Sequence, residues 1–250
     1  MPEEKPPRLR TVEKVKPPYP LNEFSKDFPH NVGKEIVYLL AVKSKPSLEG
    51  PEWEEIFANC IGATWKPSNV GLDDVIFGNC AWGAKTVKAA KPAEQKVVRL
   101  ISGRNSPAYS FGEASVLNVE PNKLGKQILA IWNERVSAIR KKYKHLRTVV
   151  LMKSETLQEV VVFEFDTVRY EPDLYRWVWN KRKNLEGYEK ATEVHRFTWQ
   201  PHGSQFTIIE DVPNFRLIIK IAVPPHLDKE GILKGIGFKK SWITVIKKNG

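Results

Sequence analysis

The stretch from Gly71 to Lys88 constrains the fold of this chain more than any other. It reads GLDDVIFGNCAWGAKTVK, in which an acidic pair opens a short apolar run, Gly78 and Asn79 interrupt it, and a second run follows. Glycine and asparagine tolerate the positive backbone angles of a tight turn, so the pattern predicts a β-hairpin. Because side chains alternate between the faces of a strand, Asp74 at the start of the first strand can face Lys85 on the second.

An aspartate and a lysine on neighbouring strands form a compact site for phosphodiester hydrolysis. The carboxylate can hold a divalent metal ion that polarises the phosphate, and the ammonium can orient or help to deprotonate the attacking water. The hairpin therefore predicts catalysis at Asp74 and Lys85.

With this pair, the hairpin resembles that of the PD-(D/E)xK nuclease superfamily, to which many type II restriction endonucleases belong. The resemblance implies that Asp74 is the first acid and a metal ligand, that Lys85 is the catalytic lysine, and that the Ala84 carbonyl is a further ligand. It also implies Mg²⁺ as the cofactor and a core with the order helix, strands, helix, strand. The sequence departs from the pattern at Gly83, where the superfamily has a second acid two residues before the lysine.

A neighbouring helix can supply the missing carboxylate. Residues 51–61 begin with proline and carry apolar residues at helical spacing, which predicts a helix just before the hairpin. Its other face carries two glutamates. We expect Glu55 to be the catalytic and metal-binding acid, with Glu54 as the second choice; Glu94 and Glu113, which follow the lysine strand, stay open.

Composition limits the partners and the compartment. A net charge of +11 with a pI near 9.5 favours a polyanion, because each neutralised phosphate releases condensed counterions. No apolar run approaches the roughly 20 residues that span a bilayer, and the N-terminus lacks the apolar region of a signal peptide. We therefore expect a soluble cytoplasmic protein. Cys60 and Cys80 are the only cysteines, which argues against a disulfide framework and a zinc site.

Periodicity along the chain predicts an α/β (α+β) fold. We expect a restriction-endonuclease-like core at residues 31–165, with a mixed central β-sheet flanked by helices, including a helix from Val32 to Val42 and a long one from Pro121 to about Lys142. Prolines predict an extended arm at residues 1–30. Residues 166–250 read as an added β-rich part that ends in a strand over residues 241–246.

Two regions carry side chains that suit DNA recognition. Arginine pairs with guanine and asparagine with adenine, while glutamine, histidine and serine offer further groups to base edges and phosphates. The predicted DNA-binding residues are Arg104, Asn105, Arg176, Asn180, Arg182, Arg196, Gln200, His202, Ser204 and Gln205.

These observations lead to one main expectation. The chain is predicted to be a sequence-specific, Mg²⁺-dependent endonuclease for double-stranded DNA, and a homodimer, because two sites are needed to cut both strands of a palindrome. The second reading is a sequence- or modification-specific DNA-binding protein that keeps the nuclease fold without catalysis, and Gly83 favours it. The third is a nuclease for RNA or for branched or damaged DNA.

Overall fold

A computed structural model describes residues 15–43, 45–66 and 71–246 of the chain. Residues 1–14 of the predicted arm lie outside the described residues. The described part has five α-helices: α1 (Phe28–Val42), α2 (Gly50–Ile61), α3 (Pro107–Phe111), α4 (Pro121–Arg140) and α5 (Lys229–Gly235). Its strands are β1 (Thr64–Trp65), β2 (Val75–Phe77), β3 (Cys80–Lys88), β4 (Val97–Arg104), β5 (His145–Lys153), β6 (Glu159–Asp166), β7 (Tyr175–Trp179), β8 (Leu185–Glu189), β9 (His195–Gln200), β10 (Gln205–Asp211) and β11 (Leu217–Lys220).

The fold is a mixed α+β fold with two β-sheets. The first sheet has the order β1-β2-β3-β5-β6-β11, and β3 runs parallel to β5 while the other neighbours are antiparallel. A parallel pair needs a crossover connection, and here it contains β4, α3 and α4. The second sheet, β4-β10-β9-β8-β7, is antiparallel throughout.

Helix α4 holds the two sheets together. Its apolar face packs against Ala81 and Leu146 of the first sheet and against Trp177, Phe197 and other aromatic residues of the second. On the opposite face of the first sheet, α1 and α2 cover a separate apolar cluster. Both faces of the first sheet are therefore buried, which explains the continuous apolar runs of β5 and β6.

The N-terminal segment that precedes α1 is packed rather than loose. Tyr19 Oη and Trp82 Nε1 donate to the buried Glu164 carboxylate at 2.8 and 2.6 Å. Arg147 forms an ion pair with the same carboxylate at 3.2 Å. The Asn22 side chain bonds to the Glu164 backbone. The described part of the predicted arm is thus fixed across the end of the first sheet.

Several predicted boundaries need correction. Helix α1 begins at Phe28, inside the predicted arm. The predicted division at residue 165 does not separate the sheets, because β4 belongs to the second sheet and β11 to the first. Residues 241–246 form no strand and are exposed. Strand pairing depends on residues far apart in the sequence. A local apolar run therefore decides neither whether it becomes a strand nor which sheet it joins.

Candidate functional site

The hairpin predicted from residues 78–79 is confirmed. β2 and β3 pair antiparallel, and Gly78 has the positive φ of 57° that the turn requires. β3 is longer than β2. Asp74 directly precedes β2 and therefore lies beside the part of β3 that extends beyond β2. The Asp74 Oδ2 accepts a 3.2 Å hydrogen bond from the backbone N–H of Ala84.

Burial dominates the environment of the Asp74 carboxyl group. Asp74 is 2% exposed, and burial raises its pKa to about 6 because a charged carboxylate loses hydration there. The Lys85 charge lowers the pKa, whereas the charges of Glu54 and Asp73 raise it further. A carboxylate in this position is stabilised by a cation, which offsets both the lost hydration and the repulsion.

Lys85 lies on β3 next to this carboxyl group and is half-buried. Its Nζ donates a 3.1 Å hydrogen bond to the Gly71 carbonyl. Burial lowers the pKa of Lys85, the charges of Asp74 and Glu54 oppose this shift, and the Arg135 charge adds to it. A lowered pKa makes the ammonium a better proton donor than an exposed lysine.

The helix carboxylate in this cluster is Glu54 rather than Glu55. Glu54 Oε2 accepts a 3.1 Å hydrogen bond from Trp65 Nε1, and the Glu54 charge acts on both Asp74 and Lys85. Glu55 is exposed, because successive residues of a helix point about 100° apart. The structure therefore replaces Glu55 with Glu54 in the candidate site.

The two downstream acids are engaged with other groups. Glu94 forms an ion pair with Lys91. Glu113 accepts a hydrogen bond from Gln127 and forms an ion pair with Lys123. Neither is among the main charges that act on Asp74 or Lys85.

Packing explains why residue 83 is a glycine. A Cβ atom at this position would lie 2.7 Å from the Gly71 carbonyl oxygen and 3.2 Å from the Leu72 Cα. Carbon atoms in favourable contact lie roughly 3.5 to 4.0 Å apart. The backbone of residues 71–72 thus fills the space that an acidic side chain would need, and Gly83 is a requirement of this fold.

The donor set fits a magnesium ion bound with few protein ligands. Mg²⁺ is usually bound by one or two carboxylates, with water and phosphate oxygens completing its shell, and Asp74 and Glu54 are two carboxylates that repel each other. Among the residues in the described ranges, no three His, Cys, Asp or Glu side chains are grouped to hold a metal ion. The Ala84 carbonyl stays a predicted ligand.

Arg135 on α4 connects this cluster with the second sheet. Its charge acts on Lys85, and its guanidinium donates to the Ser102 carbonyl at 2.8 Å and to Asn105 Oδ1 at 3.2 Å. The Asn105 backbone N–H in turn donates to the Ser204 carbonyl at 2.9 Å. Ser204, in a turn predicted to bind DNA, is therefore linked to Arg135 through Asn105.

On the side of the second sheet where Asn105 and Ser204 lie, the strand ends form one row, called the polar row below. Arg104 is opposite Gln205, and Gln205 is opposite Gln200. Trp179, the last residue of β7, is opposite Leu185, the first of β8, so the β7–β8 turn continues the row. Neighbouring strands are about 4.8 Å apart, so five strands cover about 19 Å, the length of roughly six base pairs.

Four of the predicted DNA-binding residues are engaged within the protein. Asn105 is fully buried, and its Nδ2 donates to the Ile128 carbonyl, so its amide is not available to a base. This prediction was wrong, because loop composition does not reveal burial. Arg176 pairs with Glu193 and lies over the Tyr188 ring. Arg196 pairs with two acids of β10, and Asn180 accepts two backbone N–H groups of its own turn.

The other predicted DNA-binding residues are accessible to solvent at the polar row of strand ends. Arg104, Arg182 and His202 are exposed, and Gln200, Ser204 and Gln205 are half-buried. A cavity of about 590 Å³ adjoins them, and Arg99, Lys181 and Arg182 contribute cations to its wall. None of these three forms an ion pair with another described residue, and the cavity's only carboxylate, Glu186, is hydrogen-bonded to Asn180 and Tyr188.

Comparison with known proteins adds no family to this picture. Neither a protein-family model, nor a curated protein, nor a solved structure matches the chain. The argument about function therefore depends on the chemistry of the site.

Sequence reasoning missed Arg135 and Arg99. Arg135 lies on the correctly predicted helix α4, but its charge acts on Lys85 of β3. Arg99 donates to Thr198 of β9, which is likewise distant in the chain. Strand alternation does place Arg99 opposite in direction to the buried Val98 and Leu100, and this was the one available signal.

No helix in the described part of the chain has the length and apolar character needed to cross a membrane.

Proposed function

We propose that this protein is a Mg²⁺-dependent DNA endonuclease that hydrolyses phosphodiester bonds in the manner of type II restriction enzymes. The observation that carries the proposal is the cluster of Asp74, Lys85 and Glu54. Their charges act on one another, and both Asp74 and Lys85 have shifted pKa values. Burial and neighbouring charges shift pKa values in active sites in this way.

The element order gives further support. The resemblance to the PD-(D/E)xK superfamily implies helix, strands, helix and strand, and the chain has α2, the β1–β3 antiparallel strands, α4 and then β5 parallel to β3. The candidate residues lie on the first helix and on the hairpin, where the resemblance implies catalytic groups.

Each residue has a separate role in the proposed reaction. Asp74 and Glu54 would hold Mg²⁺, which supplies charge neutralisation at the phosphate. Lys85 orients the attacking water and takes part in its proton transfer, and the Gly71 carbonyl fixes the ammonium. The water oxygen bonds to phosphorus and loses a proton, and one phosphorus–oxygen bond to a sugar breaks. The released sugar oxygen takes up a proton from solvent, which replaces the one that the attacking water gave to solvent.

Double-stranded DNA is the substrate that the rest of the surface favours. The net charge is +11. The accessible polar row and its cationic cavity lie beside the loop to which Arg135 is hydrogen-bonded, and the Arg135 charge also acts on Lys85. Arg104, Gln200, His202 and Gln205 then read base edges, and Lys181 and Arg182 hold phosphates. A homodimer supplies the second site needed to cut the other strand.

The test is cleavage of unmethylated phage DNA by the full chain with Mg²⁺ or with EDTA. We expect discrete fragments that require Mg²⁺ and disappear in Asp74→Ala and Lys85→Ala. Glu54→Gln should abolish cutting, while the matched control Glu55→Gln cuts like the wild type. Cutting that survives Asp74→Ala, or that fails in Glu55→Gln but not in Glu54→Gln, would refute the assigned site.

A DNA-binding protein without nuclease activity is the second candidate. It is favoured by Gly83, which occupies the position where the superfamily pattern has its second acid. A gel shift with any duplex, together with no Mg²⁺-dependent cutting of modified or unmodified DNA, would establish this alternative in place of the first.

A further inference from the structure

The cavity of about 590 Å³ beside the polar row is lined by polar side chains alone. It lies on the face of the second sheet that points away from α4. Phe197 and Trp199 pack in the apolar cluster around α4, so Thr198 between them points to the cavity face. No aromatic side chain of a described residue lines it, so it offers no ring on which a nucleobase could stack. The lining residues are Arg99, Asn180, Lys181, Arg182, Asn184, Glu186, Thr198 and Gln200.

Asn180 fixes the β7–β8 turn that forms one side of this cavity. Its Oδ1 accepts hydrogen bonds from the Arg182 and Asn184 backbone N–H groups at 2.9 and 3.0 Å. Its Nδ2 donates to Glu186 Oε1 at 2.8 Å, which ties the turn to β8. The backbone that carries Lys181 and Arg182 is therefore held in place beside the cavity before any ligand binds.

The charges of the lining residues leave two positive units in excess, because three of these residues are cations and one, Glu186, is an acid. Burial raises the pKa of Glu186, but hydrogen bonds from Asn180 and Tyr188 outweigh this effect and lower the pKa below its usual value. Glu186 is thus ionised at neutral pH. Both of its oxygens already accept a hydrogen bond, so the carboxylate belongs to the framework of the cavity.

The three cations keep hydrogen-bond donors for a ligand. The Arg99 guanidinium donates through Nη2 to Thr198 Oγ1 at 2.9 Å, which orients it on the sheet. A guanidinium has five N–H donors in a planar fork that matches the oxygens of a phosphate, so most of the Arg99 donors stay open. The Lys181 and Arg182 side chains are exposed, and neither donates a hydrogen bond to another described residue.

We propose that this cavity binds a phosphomonoester, either the terminal phosphate of a nucleic-acid strand or the phosphate of a free nucleotide. A phosphomonoester carries about two negative charges at neutral pH and has three strong acceptor oxygens, which match the excess charge and the donors of Arg99, Lys181 and Arg182. A phosphodiester inside a strand carries a single negative charge and would leave one cation uncompensated. The cavity therefore favours a terminal phosphate over a backbone phosphate. This inference does not rest on nuclease activity.

The test is binding of a short single-stranded oligonucleotide by the full chain, measured by fluorescence anisotropy in EDTA so that no cleavage occurs. The strand carries an internal fluorescent label and has either phosphates or hydroxyls at both ends. We expect the phosphorylated strand to bind about tenfold more tightly to the wild type. Arg99→Gln and Lys181→Ala/Arg182→Ala should each bring this ratio close to one. Both variants should melt like the wild type, because the changed side chains are exposed.

The matched control is Lys141→Ala/Lys142→Ala, which removes two positive charges at the end of α4 and should keep the preference for the phosphorylated strand. Competition separates the two sources of the ligand. Deoxyadenosine monophosphate should displace the phosphorylated strand, whereas deoxyadenosine should not. If the free nucleotide binds as tightly as the strand, the phosphate group alone is recognised; if it binds more weakly, the strand adds contacts at the polar row.

Three results would overturn the proposal. The wild type could bind both strands equally, both cavity variants could keep the preference, or the control could lose it to the same extent as the cavity variants. The last result would show that the preference follows the total charge of the protein rather than the cavity.

Discussion

Gly83→Ala tests the packing that requires a glycine at position 83. The added Cβ would lie 2.7 Å from the Gly71 oxygen, whereas ordinary contacts begin at 3.4 Å, so the 71–72 backbone must move by about 0.7 Å, the difference between these distances. Overpacking of this kind costs about 1–3 kcal/mol. The same oxygen accepts the Lys85 hydrogen bond of 3.1 Å, and losing a hydrogen bond to a charged group costs a similar amount.

We therefore expect Gly83→Ala to lower the free energy of unfolding by about 3 kcal/mol. Urea denaturation at neutral pH measures this change, and cleavage of phage DNA should fall with it because the Lys85 ammonium loses its anchor. Gly50→Ala is the matched control: no atom lies within 4 Å of the added Cβ, so stability should stay within about 0.5 kcal/mol of the wild type.

Two results would refute this reasoning. If Gly83→Ala unfolds at the same urea concentration as the wild type, the 71–72 backbone does not restrict the position. If Gly83→Glu folds and cuts DNA faster than the wild type, the position is a vacant acid site rather than a packing requirement.

Three further predictions follow from the charges. Asp74→Asn should raise stability at pH 8 by about 3 kcal/mol, because a carboxyl group whose pKa rises from 3.8 to about 6 on folding destabilises the native state once ionised, by about 1.4 kcal/mol for each pKa unit. The gain should vanish as the pH falls to about 4, and urea titrations showing no gain at pH 8 would contradict this. Arg147→Met should cost about 3–5 kcal/mol by leaving Glu164 buried and unpaired, and Arg147→Met/Glu164→Gln should recover part of the loss; a double variant no more stable than the single one would show that the ion pair is not the cause. Lys181→Ala/Arg182→Ala should reduce the slope of log binding constant against log salt by about one for each phosphate that is no longer neutralised, whereas Lys141→Ala/Lys142→Ala, which removes the same charge at the end of α4, should leave the slope closer to that of the wild type. If the two double variants have equal slopes, the cavity is not part of the surface that binds DNA.

Local patterns were sufficient for the elements that carry the site. The turn at Gly78 requires a positive φ that glycine adopts at little cost, and the apolar spacing of α4 repeats with the helical period. Long-range pairing was beyond such patterns. The predicted terminal strand at residues 241–246 has the composition of a strand, but no neighbouring strand within the described part of the chain pairs with it.

The sequence by itself determined the hairpin, the juxtaposition of Asp74 and Lys85, and the basic charge that favours a nucleic acid. Only the tertiary structure decided that Glu54 and not Glu55 completes the cluster, because the two side chains point about 100° apart on α2 and the packing of that helix selects one. Packing also made Asn105 a buried structural residue and filled the space beside Gly83. Each of these outcomes depends on where a distant backbone lies, and no neighbouring residue in the sequence encodes that position.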